Sequence, residues 1–189
     1  MESAIKKKLS LTEYRQLEED NDTRYEFHKG EVFAMAGGSR SHSAIATNVT
    51  ILLGSLLSEG CRPFNSDLKV YIPATNKGLY PDVSVVCQPI KEESSINAIT
   101  NPVLLIEVLS KGTANYDRGE KFWFYSQVSS LREYVLIEQD QWAVETRYRD
   151  SEEALWEMAY FKGEGTKVFL RSKGIYLPMD QIYRDVANL

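Results

Sequence analysis

The chain has 189 residues, with 22 lysines and arginines against 27 aspartates and glutamates, and a formal net charge of −5. With 43% hydrophobic and 26% charged residues it has the composition of an ordinary globular protein, which excludes a disordered, collagenous or mucin-like polymer. The acidic balance argues against holding DNA by broad phosphate neutralisation, so a nucleic-acid function would need a small basic patch or a bound cation.

The length fits a single domain over residues 1–189, long enough to fold on its own core. MESAIKKKLS carries basic residues without the apolar run of an export signal, and no stretch of about 18 apolar residues follows anywhere. A cytoplasmic chain with no membrane partner is the expectation. Residues 11–19 read as a short helix with Thr12 as its N-cap. Tyr25 to His28 and Val32 to Met35 read as a hairpin turning at Lys29-Gly30. After Gly37-Gly38-Ser39-Arg40-Ser41, the residues Ile45, Val49, Leu52, Leu53 and Leu56 recur at helical spacing and predict a helix with one buried stripe. Past Gly60 the period changes to two: Leu68, Val70 and Ile72 predict a strand, and LYPDVSVVC a second one. Cys61 and Cys87 are the only cysteines and have no CxxC spacing, so they read as two buried thiols in a reducing cytosol.

QPIKEESSINAITN reads as a polar connection, and VLLIEVLS as a strand buried on both faces. NYDRGEKFWFYSQV reads as a helix, EYVLIE as another buried strand, and the remainder as short antiparallel strands. This order predicts a mixed α/β fold: a central mixed sheet flanked by helices, with an extra N-terminal hairpin and C-terminal antiparallel strands.

Two carboxylates stand where charge is expensive. Asp82 follows Pro81 at the head of an apolar strand, and Glu107 lies inside LLIEVL. Such groups need a counter-ion, either a Lys or Arg partner or a metal. If their strands are neighbours, the two acids would converge on a divalent cation, and oxygen donors favour magnesium or manganese over zinc. Asp67 is a third carboxylate nearby, and Asp67-Leu68-Lys69 with Glu31 offers a second register of the same acid-acid-lysine pattern. Lys121 follows Asp117 by four residues and precedes Tyr125 by four, so the three share one helical face; a surface ion pair is the simpler reading of that spacing. His42 starts the buried stripe and reads as a capping or core residue or as a ligand. The loop before it, with Arg40 and Ser41, puts free amides, hydroxyls and a cation at a helix N-terminus, a place for phosphate or simply a serine-capped loop. Phe122 to Tyr125 surround more than half of their helix with aromatic rings, one side for the sheet and the other for a second subunit.

Pro81-Asp82 followed by Glu107-Val108-Leu109 on a buried strand resembles the signature of the PD-(D/E)xK nuclease superfamily. Together with YEFHKGEV, SRSHSAI, YPDVSVV, LLIEVLS and the Asp117, Lys121, Tyr125 spacing before EYVLI, it resembles the Uma family of restriction endonuclease-like proteins over roughly residues 10 to 140. The resemblance implies a restriction-endonuclease-like core and magnesium- or manganese-dependent cleavage of DNA. It implies that Asp82, Glu107 and the Val108 carbonyl hold the metal with help from Asp67, and that Lys121 is the catalytic lysine. Glu26, His42, Asp117 and Tyr125 would support the site. From the residues themselves, Arg40, Ser41 and Lys69 are the candidates to meet DNA, and the aromatic helix with the need to cut two strands points to a homodimer. One position departs from the pattern: the residue two after Glu107 is Leu109 and not lysine, and strand alternation turns it to the same face. Relocation of the lysine to Lys121 keeps the chemistry. A nuclease fold that only binds DNA or a protein is the alternative, and a two-carboxylate glycosidase is a third reading.

Overall fold

A computed structural model describes residues 8–21, 23–35 and 37–186; residues 1–7, the start of the basic N-terminal stretch, lie outside them. Helix α1 (Leu11–Asn21) begins at a reciprocal cap. The Glu13 N–H donates to Ser10 Oγ at 3.2 Å, and the Ser10 N–H donates to Glu13 Oε2 at 2.8 Å. Ser10 therefore takes the role expected of Thr12, because only Ser10 has a glutamate three residues on to complete the capping box. Strands β1 (Tyr25–His28) and β2 (Glu31–Ala34) form the expected hairpin. Its turn places Lys29 at φ 48° and Gly30 at φ 94°, the left-handed region that a tight hairpin requires. Helix α2 (Arg40–Leu56) is capped by Ser39, whose hydroxyl accepts from the His42 N–H, and it buries Ile45, Val49 and Leu53 completely.

Strands β3 (Cys61–Asn65), β4 (Lys69–Ile72), β5 (Lys77–Leu79) and β6 (Val83–Cys87) follow. The segment LYPDVSVVC is thus two strands and not one. Proline removes a ladder donor and breaks the run at Tyr80-Pro81-Asp82, and the pieces enter different sheets. The polar connection also pairs, as β7 (Glu92–Glu93) and β8 (Ala98–Ile99). The central strand β9 (Pro102–Leu109) leads to α3 (Ala114–Tyr116), a π turn (Asp117–Lys121) and α4 (Phe122–Ser126). Strands β10 (Glu133–Glu138), β11 (Ala143–Tyr148), β12 (Glu157–Lys162), β13 (Lys167–Leu170) and β14 (Ile175–Pro178) and helix α5 (Met179–Ile182) complete it.

The fold is mixed α/β with two six-stranded sheets, ordered β12-β11-β10-β9-β6-β3 and β2-β1-β5-β4-β8-β7, and a separate β13-β14 pair. Among the described residues, only β9–β10 in the first sheet and β4–β8 in the second run parallel. The N-terminal hairpin is therefore one side of a second sheet and not an appendage. Strand β9 explains its own near-continuous apolar sequence. Leu104, Ile106 and Val108 face the core under α2, with Ile45, Val49 and Leu53, while Leu105 and Leu109 face the core under α4, with Phe124 and Tyr125. Glu107 belongs by alternation to the second face.

The cysteines overturn the free-thiol expectation. Cys61 and Cys87 are directly opposite in the β3–β6 ladder and form a disulfide. Their separation in sequence hides a pairing that only the antiparallel register creates. Among the described residues no helix is long and apolar enough to cross a membrane.

Candidate active site

Four segments deliver carboxylates to one cleft of about 390 Å³ between α2, β9 and the π turn, Glu26 coming from β1. Asp82 precedes β6, Glu107 lies in β9, and Asp117 opens the π turn. Because β6 pairs antiparallel with β9, placing Val83 opposite Ile106, Asp82 lies beside the Glu107-Val108 segment. The Val108 N–H donates to Asp82 Oδ2 at 2.7 Å, and His42 Nε2 approaches the same oxygen at 3.1 Å. Asp82 is thereby fixed from the strand on one side and from the first turn of α2 on the other. Gly38 packs against the histidine so closely that an added Cβ would sit 2.8 Å from His42 Nδ1.

Lys121 reaches Glu107 from across the sheet face. Its Nζ lies 2.8 Å from Glu107 Oε1, 3.6 Å from Asp117 Oδ1 and 3.9 Å from Glu26 Oε1, and it donates to the Tyr80 carbonyl at 3.4 Å. The close approach to Glu107 is an ion pair without hydrogen-bond alignment, so Glu107 Oε1 is a buried acceptor lacking a donor. Leu109, where the superfamily pattern has its lysine, packs in the core beneath α4, and Lys121 enters the same face from the π turn. The wider π turn frees backbone carbonyls, and neighbouring strands satisfy them. The Tyr134 hydroxyl donates to the Asp117 carbonyl at 2.9 Å and Arg147 Nη1 donates to the Arg118 carbonyl at 2.8 Å.

Charge in the cleft is unbalanced. Glu26, Asp82, Glu107 and Asp117 face one lysine and one histidine. Burial by itself lowers the Lys121 ammonium, but the fields of Glu107, Glu26, Asp117 and Asp82 overturn this and hold it charged. Burial raises Asp117, against the opposing pull of Lys121. The hydrogen bond that His42 Nε2–H donates to Asp82 raises His42 above 6.5, more than burial lowers it. The cleft therefore favours additional positive charge. Among the described residues no three His, Cys, Asp or Glu side chains are gathered tightly enough to hold an ion alone. The donors that fit a hard divalent cation are the Asp82 and Glu107 carboxylates, with Glu107 Oε1 held by the Lys121 ammonium alone, together with main-chain oxygen from β9.

The structure gathers Asp82, Glu107, Val108, Lys121, Asp117, Glu26 and His42 around this cleft. It does not bring Asp67 there: the side chain is 76% exposed and pairs with Arg24, because it belongs to the turn between β3 and β4. Lys69 is likewise removed from any DNA-facing surface. It is 3% exposed, bonded to Glu18 Oε2 at 2.5 Å and to the Ile96 carbonyl, and lies over the Tyr14 ring, where it ties α1 to β4. Arg40 and Ser41 occupy the first turn of α2, next to the cleft-lining Ser39, with Arg40 exposed. Tyr125 is fully buried behind the site, packed on Tyr134, and its hydroxyl has no partner.

Several residues escaped the sequence reading. The Tyr116 hydroxyl donates to Glu26 Oε2 at 3.0 Å and lines the cleft; its only sequence signal was adjacency to Asp117. Arg24, with Thr47, Thr50 and Ser66, lines a second hollow of about 500 Å³ that continues from His42 and Asp82 along α2. Nothing in the sequence links these positions.

The model of the Uma2 family, described as "Putative restriction endonuclease", matches residues 11–180. Two Synechocystis proteins are similar over nearly the whole chain. One, slr1290, is 37% identical over 181 residues, covering 95% of this chain and 94% of its own length. The other, sll1609, is 35% identical over 169 residues, covering 87% and 94%. Both carry the name "Uncharacterized protein". The crystal structure of "a putative nuclease belonging to DUF820" from Anabaena variabilis has the same fold, with a TM-score of 0.71 at 19% identity over 93% of this chain and 97% of that one.

Proposed function

The chain belongs to the Uma2 family, and on that premise we propose that it is a divalent-metal-dependent endonuclease acting on the phosphodiester bonds of DNA. The observation that carries this reading is the meeting of Asp82, Glu107 and Lys121, from three separate elements, in one cleft. Asp82, Glu107 and the Val108 carbonyl would hold magnesium or manganese, which when bound supplies a water of lowered pKa and offsets charge on the scissile phosphate. Lys121 directs a fixed ammonium at the phosphate oxygens, where charge grows in the transition state. His42 and the Val108 N–H keep Asp82 in one orientation, and Tyr116 does the same for Glu26.

The hollow along α2, with Arg24 and its hydroxyls, supports a path for the nucleic-acid backbone leading away from Asp82, and the exposed Arg40 supports approach at the helix start. A homodimer is part of this reading. Trp123 remains 54% exposed while Phe124 and Tyr125 are buried, and cutting both strands of a duplex calls for two sites. Plasmid nicking with magnesium, manganese or EDTA tests the activity. Metal-dependent nicking by the wild type, lost in Asp82→Ala and Lys121→Ala, is expected. Equal behaviour of all three proteins would remove the assignment.

A further inference from the structure

A second group of reactive side chains lies at the opposite end of the β3–β6 pair from the cleft. Cys61 opens β3 and Cys87 closes β6, joined as a disulfide across the ladder. Strand β3 is the outer strand of its sheet, and both cysteines are only partly buried. The turn between β13 and β14 lays Lys173 beside it. Nζ stands 3.2 Å from Cys87 Sγ and 3.6 Å from Cys61 Sγ. Among the described residues no carboxylate pairs with this ammonium. The acid whose field reaches it, Glu133, is occupied by the backbone N–H groups of Arg171 and Ser172 and by the Ser172 hydroxyl.

A neutral disulfide gains little from a neighbouring cation, whereas a thiolate gains a Coulomb partner. A partly desolvated ammonium next to two sulfurs therefore stabilises the reduced, ionised pair over the oxidised one. We propose that Cys61–Cys87 is a thiol–disulfide exchange site that takes a dithiol as its reaction partner, with Lys173 as the residue that positions positive charge at the leaving sulfur. The thiolate of the partner attacks Cys61 Sγ, the S–S bond breaks, and its electron pair leaves on Cys87 Sγ, the sulfur nearer the ammonium. The second thiol of the partner, after losing its proton, attacks the mixed disulfide and releases Cys61 Sγ, which takes up a proton. The partner departs oxidised to a disulfide, and the protein keeps Cys61 as a thiol and Cys87 as a thiolate paired with Lys173. The same two electrons pass from the dithiol to the protein, with no other co-reactant.

The test equilibrates the full chain in dithiothreitol redox buffers and counts thiols by mass after alkylation. Lys173→Met is expected to make reduction less favourable by about tenfold in the equilibrium constant, about 30 mV for a two-electron couple, while Lys173→Arg keeps the wild-type value. A second measurement leaves Lys173 in place. In Cys61→Ser, the iodoacetamide rate of Cys87 is expected to reach half its maximum below the ordinary thiol value of about 8.5. An equilibrium constant unchanged by Lys173→Met, or a Cys87 thiol titrating at or above the ordinary value, overturns the proposal.

Discussion

Lys121 Nζ and Glu107 Oε1 stand 2.8 Å apart although one belongs to a π turn and the other to the central strand. The pair supplies from a neighbouring element the cation that Leu109 does not supply from the strand itself. Both side chains are buried, at 6% and 3% exposure, so neither tolerates the loss of the other.

Lys121→Met is expected to lower metal-dependent DNA cleavage by about 100- to 1,000-fold, the usual cost of removing one charge-stabilising donor. It should also destabilise the fold by about 3–5 kcal/mol, because Glu107 and Asp117 lose their buried partner. Urea denaturation separates the two effects. In the double variant Leu109→Lys/Lys121→Met, the new lysine faces the same side as Glu107 and should recover part of the activity.

His42 should titrate above 6.5 in metal-free protein, since the hydrogen bond to Asp82 favours its charged form. A raised histidine stabilises the folded state fully below 6.5, and this contribution is lost as pH rises through the folded value. The stability gap between wild type and His42→Ala should therefore narrow with increasing pH. Imidazole NMR titration checks the shift directly, and Asp82→Asn should move it downward. Gly38→Ala, whose Cβ would meet His42 Nδ1 at 2.8 Å, should displace the ring and reduce cleavage by up to about 100-fold with the fold intact.

Manganese should raise the melting temperature of the wild type. At a free concentration about 100 times Kd, a ligand bound only by the native state adds about 2.7 kcal/mol. Glu107→Gln removes one of two carboxylate donors and should abolish the effect. An identical shift in both proteins places the metal elsewhere.

Leu53→Ala tests the scaffold. Leu53 is fully buried between α2 and the first sheet, and its truncation should cost about 2–5 kcal/mol, read as a lower denaturant midpoint with unchanged m-value.

Much of the scaffold was legible because its signals are local. The three- and four-residue spacing of Ile45, Val49 and Leu53 specified α2, and the Lys29-Gly30 turn specified the first hairpin. The polarity of Glu107 inside an apolar strand marked it as a residue needing a partner. Signals that depend on register were not legible. Lys69 looks like a surface cation until Glu18 of α1 closes over it, and Asp67 looks like a ligand until the β3–β4 turn points it to solvent.

By itself the sequence determined the class of elements, the apolar faces they bury and the chemical kinds available to the site, because periodicity and side-chain chemistry belong to short stretches of chain. Tertiary structure decided which charges meet. Antiparallel pairing of β6 with β9 set Asp82 beside Val108, the π turn brought Lys121 to Glu107, and the β3–β6 register joined Cys61 to Cys87. These contacts join residues far apart in the chain, and their geometry follows from strand register and helix packing, which local sequence does not encode.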